Sequence, residues 1–141
     1  TEYEIIDAIC DAVNPALLIA SLIFSIFRFI KGNRQQSLYS FSLLVVGLLA
    51  TYGILFLEHK YLFWESNGHD YSTHTAFALA AVISLTSSST KSIVFGGLFT
   101  AYCFAMLYQQ YHSLFDIVST IVVLTPFTIL PWLTLKYTHK I

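Results

Sequence analysis

The run Leu38–Leu57, LYSFSLLVVGLLATYGILFL, is twenty residues long and holds no charged side chain. As a helix rising about 1.5 Å per residue it is about 30 Å long, the thickness of a bilayer's hydrocarbon core. Four more apolar segments flank it, at about 15–30, 72–88, 92–108 and 116–135. Across its 141 residues the chain is 56% hydrophobic and only 11% charged, whereas soluble domains run at about 25% charged. A core of this size cannot bury that much apolar surface. The expectation is an all-α integral membrane protein, one domain over 1–141, built as a bundle of about five transmembrane helices.

Local signals set the boundaries. Asn14-Pro15 reads as a cap followed by proline at the first helical position, which starts the first span. The segment 1–13 alternates Glu2, Glu4, Asp7 and Asp11 with Ile5, Ile6 and Ile9, the pattern of an interfacial helix. Pro126 and Pro131 should kink the fifth span. Gly47 with Ala50, Ala76 with Ala80 and Ala81, and Gly96 with Gly97 are small residues of the kind that let membrane helices pack closely. Cys10 and Cys103 fit neither a zinc framework nor a disulfide scaffold and read as apolar filling. The chain begins at Thr1 without a methionine, which fits processing, trimming or a fragment alike.

Charge gives the orientation. Arg28, Lys31 and Arg34 lie between spans one and two, Lys91 between three and four, and Lys136 and Lys140 after five. Alternating spans put all of these on one side, the cytoplasmic one by the positive-inside rule. The loops 58–74 and 109–116 then share the opposite, periplasmic or extracytoplasmic face. With a net charge of −1 and no basic patch, nucleic acid is not an expected partner.

Those two loops hold the chemistry. Glu58, His59, Lys60, Glu65, His69, Asp70, Ser72, Thr73 and His74 lie in the first, with His112 and Asp116 in the second. Ionisable groups at the mouths of apolar spans are functional candidates by default. His112 and Asp116 are four apart, as are Asp70 and His74, so each pair shares a helix face. An aspartate beside a histidine fixes its tautomer and raises its basicity. Ser72 or Thr73 can cap the third helix, whose N-terminus would favour an anion. Against this, a His-x-x-x-Asp pair arises often by chance. Interfacial histidines and aromatics such as Tyr61, Phe63, Trp64, Tyr108 and Tyr111 also serve as simple anchors. His59 and His69 read as solvated loop residues, and Glu58 and Glu65 as charges facing headgroups.

Ser72-Thr73-His74-Thr75 and His112-Ser113-Leu114-Phe115-Asp116 resemble two motifs of the type 2 phosphatidic acid phosphatases and the wider lipid phosphatase and phosphotransferase superfamily. In that family Ser-Gly-His opens one transmembrane helix and His-x-x-x-Asp opens another two spans later. Lys60, separated by the six residues 61–66 from Asn67-Gly68, resembles the family's first motif, Lys-x6-Arg-Pro. The likeness covers about 60–116 and part of the last helix. Asn67 stands where the family has arginine, Ala105-Met106 where it has Ser-Arg, and Thr73 where it has glycine. The resemblance implies a membrane-embedded phosphatase or phosphotransferase needing no metal or other cofactor, with a lipid or polyprenyl phosphate as substrate and membrane lipids around it. His112 would be the nucleophile that forms a phosphohistidine, Asp116 its orienting group, and His74 the general acid and then base. Lys60, Asn67, Asp70, Ser72 and Thr73 would hold the phosphate. Without the arginines, a monoanionic diester or pyrophosphate headgroup fits better than a phosphomonoester dianion.

Two other readings of the same residues stand beside this one. His69, Asp70, His74, His112 and Asp116 form a nitrogen and oxygen set suited to zinc or iron, as in a metal-dependent membrane hydrolase or a metal-binding protein. Alternatively the chain is a non-enzymatic, degenerate member of the family.

Overall fold

The computed structural model describes residues 1–86 and 89–139, and for 89, 90 and 139 the backbone only. The expected end of the third span at Ser87–Ser88, and Lys140, lie outside the described residues. Within them the chain is helical throughout: α1 Glu2–Ile30, α2 Arg34–Tyr61, α3 Thr73–Leu85, α4 Ser89–Tyr108, α5 Leu114–Leu124 and α6 Ile129–His139. Short 3-10 turns cover Glu65–Asn67 and Thr125–Phe127.

Three helices are long and apolar enough to cross a bilayer: α1, α2 and the 91–108 stretch of α4. The bent pair formed by 114–127 and 129–138 makes a fourth candidate, giving three to four in place of the five expected. The difference lies chiefly in α3, whose thirteen residues make a helix only about 20 Å long. It is also the hub of the bundle, packed against α1, α2, α4, α5 and α6. Ala76, Ala78, Ala80 and Ala81 are fully buried, and a helix apolar on all faces belongs inside. Its alanines keep it thin enough to be surrounded.

The segment 1–13 is not a separate interfacial helix. It forms the first half of α1, capped by Thr1 in a capping box with Glu4, and Pro15 lies inside the helix rather than at its start. Pro15 is exposed, so the one hydrogen bond it removes is lost on the outer face, and the helix continues. Tyr111 hydrogen-bonds to Asp7, and Gln109 Nε2 donates to the Tyr3 carbonyl at 2.9 Å. These bonds tie the acidic half of α1 to the loop after α4.

The fifth span breaks at the prolines. Pro126 falls in the 3-10 turn and the axis turns by 41° into α6. Pro131 sits in the first turn of α6, where a missing N–H costs little. Of the small residues, Gly47 makes the close approach: a Cβ there would stand 2.6 Å from the Ala80 Cβ. Gly96 and Gly97 face open space and bring no helix close. Cys10 is buried and Cys103 half-buried, both free.

At one end of the bundle Arg28 donates to Ser40 Oγ on α2 and the Lys91 ammonium lies over the Phe24 ring of α1. The basic ends of α1 and α4 therefore meet. The α2–α3 and α4–α5 loops lie at the opposite end, where they touch through Asp116.

Candidate functional site

The site is assembled by helix caps. Ser113 caps α5, its hydroxyl accepting the Asp116 N–H at 3.2 Å while Asp116 Oδ2 accepts the Ser113 N–H at 3.0 Å. This capping box satisfies two orphan donors of the first turn. Asp116 does more than cap. Its Oδ1 accepts the Asp70 N–H at 3.0 Å, which fastens the α2–α3 loop to α5. Four residues further round the same face, Thr120 Oγ1 accepts the Ser72 N–H at 3.1 Å.

Two imidazoles face the buried Asp116 carboxylate. His112 Nδ1 lies 3.5 Å from Oδ2 and His69 Nδ1 lies 3.5 Å from Oδ1. The carboxylate is 7% exposed, the His112 side chain 16% and the His69 side chain 34%. His112 Nδ1 is buried and makes no complete hydrogen bond; the Asp116 carboxylate, 3.5 Å away, is the charged group facing it. Burial lowers the His112 pKa below the ordinary 6.5, while Asp116, and more weakly Asp70, oppose the shift and His74 adds to it. The imidazole is therefore neutral at neutral pH. A neutral ring with Nδ1 turned to a carboxylate carries its proton there and leaves a lone pair on Nε2.

Asp70, His112 and Asp116 each offer a ligand atom within 4.8 Å of the others. His69 and His74, members of the five-residue ligand set expected from the sequence, stand outside that group. His74 is exposed in the first turn of α3 and close enough to His112 to influence its charge. With Thr73 it lines a cavity of about 340 Å³ against Cys10, Asp11 and Asn14 of α1 and Tyr102 of α4. Asn14 Nδ2 donates to the His74 carbonyl at 3.3 Å.

The remaining predicted contacts are placed differently. Ser72 is fully buried and its hydroxyl is occupied as the α3 cap, accepting the Thr75 N–H at 3.2 Å and bonded to Thr75 Oγ1 at 2.6 Å. Asn67 donates its amide to the Phe63 carbonyl at 2.7 Å. Lys60 is exposed, its ammonium 5.2 Å from the Tyr61 ring centre. Among the described residues nothing joins it to the Asp116 cluster. Met106 is completely buried with its sulfur 4.0 Å from Thr75 Oγ1.

Two residues, His69 read from sequence as solvated and Glu58 read as facing headgroups, do otherwise. His69 joins Asp116, because the 3-10 turn and the αL Gly68 reverse the loop and bring residues 69–70 over α5. Glu58 is buried, its carboxylate accepting the Trp64 N–H at 2.9 Å to close the turn after α2. Glycine two residues before Asp70 was the only sequence sign of that reversal. Comparison of the chain with protein-family models, with curated proteins and with solved structures gave no match.

Proposed function

We propose that the chain is a multi-span membrane protein that transfers the phosphoryl group of an amphipathic phosphate through a phosphohistidine on His112, at the extracytoplasmic surface. The observation that carries this reading is the Asp116 carboxylate, held by two loops and turned to His112 Nδ1, which leaves Nε2 as the free nucleophilic nitrogen. In the first step Nε2 bonds to phosphorus, the bond to the leaving oxygen breaks, and His74 delivers a proton to that oxygen. In the second, water or an acceptor alcohol gives its proton to His74 and attacks phosphorus as the P–N bond breaks. Asp116 stabilises the imidazolium-like ring in both. The convergence of the basic residues at the opposite end supports the extracytoplasmic side for the site.

Turnover of a labelled panel of lipid and polyprenyl phosphates by wild type, His112→Ala and His74→Ala tests this. Loss of turnover by at least a hundredfold in His112→Ala is expected; turnover untouched by both changes would overturn it.

One observation favours a second reading. The clustering of Asp70, His112 and Asp116 within 4.8 Å, with a partnerless buried Nδ1 among them, suits a divalent cation such as zinc. In that reading the cation would supply Lewis-acid chemistry, and His112 would be a ligand rather than a nucleophile. Chelation separates the two: phosphoryl transfer through His112 survives it and a metal hydrolase does not.

A further inference from the structure

Helix α5 presents two neighbouring stripes. Asp116 and Thr120 turn towards the polar cluster, while Phe115, Ser119 and Val123 turn into a groove of about 470 Å³ whose other wall is Ile54 and Leu57 of α2. From Phe115 to Val123 the groove follows α5 for about 12 Å, roughly two turns. Its lining is apolar except at Asn67, His69 and Ser119, and Ser119 Oγ is taken by the Trp64 indole N–H at 2.8 Å. His69 stands at the mouth. Its ring lies 4.0 Å, centre to centre, from that of Phe115, and its Nδ1 is 3.5 Å from Asp116. One side chain thus touches both the oily groove and the carboxylate that orients His112.

Resting on the phosphoryl-transfer reading above, we infer that this groove seats one hydrocarbon chain of the substrate and that His69 positions the junction between chain and phosphate headgroup. The volume suits a single chain, since ligand pockets of about 300–1,000 Å³ that are mostly apolar with a few placed polar groups are the usual form of such sites. A second groove of about 450 Å³ runs between α1 and α4, lined by Leu17, Phe99 and Ala105 among others. It has none of the cluster residues at its rim. It is an apolar seam of like size that shares Cys10 and Tyr102 with the His74 cavity but has no His, Asp or Glu in its own lining, and so serves as the comparison for the groove beside Asp116.

The test needs no turnover. A ten- to twelve-carbon alkyl phosphonate bearing a diazirine near its chain end is photolysed with the full chain in nanodiscs, and the adducts are mapped by mass spectrometry. An alkyl alcohol carrying the same diazirine is run in parallel. Phosphonate adducts are expected on Leu57, Phe63 and Val123 at least fivefold above those on Leu17 and Phe99, with the alcohol labelling both grooves alike. Val123→Trp, or Leu57→Trp from the other wall should the first not fold, is expected to remove the phosphonate preference by filling the groove. His69→Ala is expected to lower it severalfold while leaving alcohol labelling unchanged. Equal phosphonate labelling of both grooves, or labelling undiminished in folded Trp variants, would overturn the assignment. Preferential labelling with no phosphate turnover in wild type would keep the chain seat and sink the phosphoryl-transfer reading, while turnover without preferential labelling would do the reverse.

Discussion

Asp116 Oδ1 accepts the backbone N–H of Asp70 at 3.0 Å, across 46 residues of sequence. That bond joins the two loops carrying the candidate chemistry, and the same carboxylate closes the α5 capping box. One side chain therefore has a structural and a chemical role, which different substitutions can separate. Asp116→Ala removes a cap and buried charged hydrogen bonds, for an expected loss of about 2–4 kcal/mol of stability. Asp116→Asn keeps one acceptor oxygen and should retain about half of that stability while losing the charge facing His112. Thermal unfolding in detergent, beside turnover, measures both.

The pH dependence follows from His112. Its pKa is lowered from 6.5 by burial, so the folded state binds fewer protons there than the unfolded chain. Its contribution to stability is therefore complete above 6.5 and falls as pH drops from 6.5 through the lowered value. Because the nucleophile must be neutral, the acid limb of kcat/KM should also lie below 6.5. Asp116 raises the His112 pKa against burial. Asp116→Asn should therefore move that limb to still lower pH even as the rate falls. A limb moving upward in Asp116→Asn would contradict the pairing.

Close packing at the hub gives a prediction independent of chemistry. A methyl group on Gly47 meets the Ala80 Cβ and Cα at 2.6 and 3.2 Å, both part of a buried helix that cannot yield. Gly47→Ala should cost about 1–3 kcal/mol. Gly96→Ala and Gly97→Ala, which meet nothing within 4 Å, should be neutral or stabilising by up to about 1 kcal/mol. Parallel melting curves of the three variants test the contrast.

Tyr71 precedes the α3 cap and donates its hydroxyl to the Thr51 carbonyl of α2 at 2.8 Å. Burial pushes its pKa up, so it donates throughout the accessible pH range. Tyr71→Phe should lower stability by about 0.5–1.5 kcal/mol and leave KM and kcat within twofold, because the hydroxyl is bonded to the α2 backbone and not to the Asp116 cluster. A tenfold fall in kcat would place it in the site.

The apolar runs were legible because length marks the long helices. The His112–Asp116 pair does meet, but not as two positions on one helix face: α5 begins at Leu114 behind the Ser113 cap. His112 therefore stands before the helix and reaches Asp116 across the cap, as Asp70 stands before the Ser72 cap of α3. The role of α3 was not legible, since a short apolar run reads alike as a span or as a buried hub, and only its neighbours decide. Pro15 misled because a helix tolerates a missing hydrogen bond on an exposed face. His69 was grouped with Asp116 only in the metal-ligand reading, because loop residues carry no period. Glu58, in the last turn of α2, was missed because its partner is the backbone of the turn that follows. The reversal at Gly68 that brings His69 to Asp116, and the turn that Glu58 closes, are set by backbone hydrogen bonds that sequence spacing does not express.

The most direct measurement is the capture of the covalent intermediate. Purified protein is quenched in alkali after brief mixing with a 32P-labelled lipid phosphate in the presence of chelator, and the label is mapped. Alkali-stable, acid-labile phosphate on His112, absent in His112→Ala and both formed and lost more slowly in His74→Ala, is the expected result. Turnover that persists in His112→Ala, or that disappears with chelator while no label forms on His112, would contradict it.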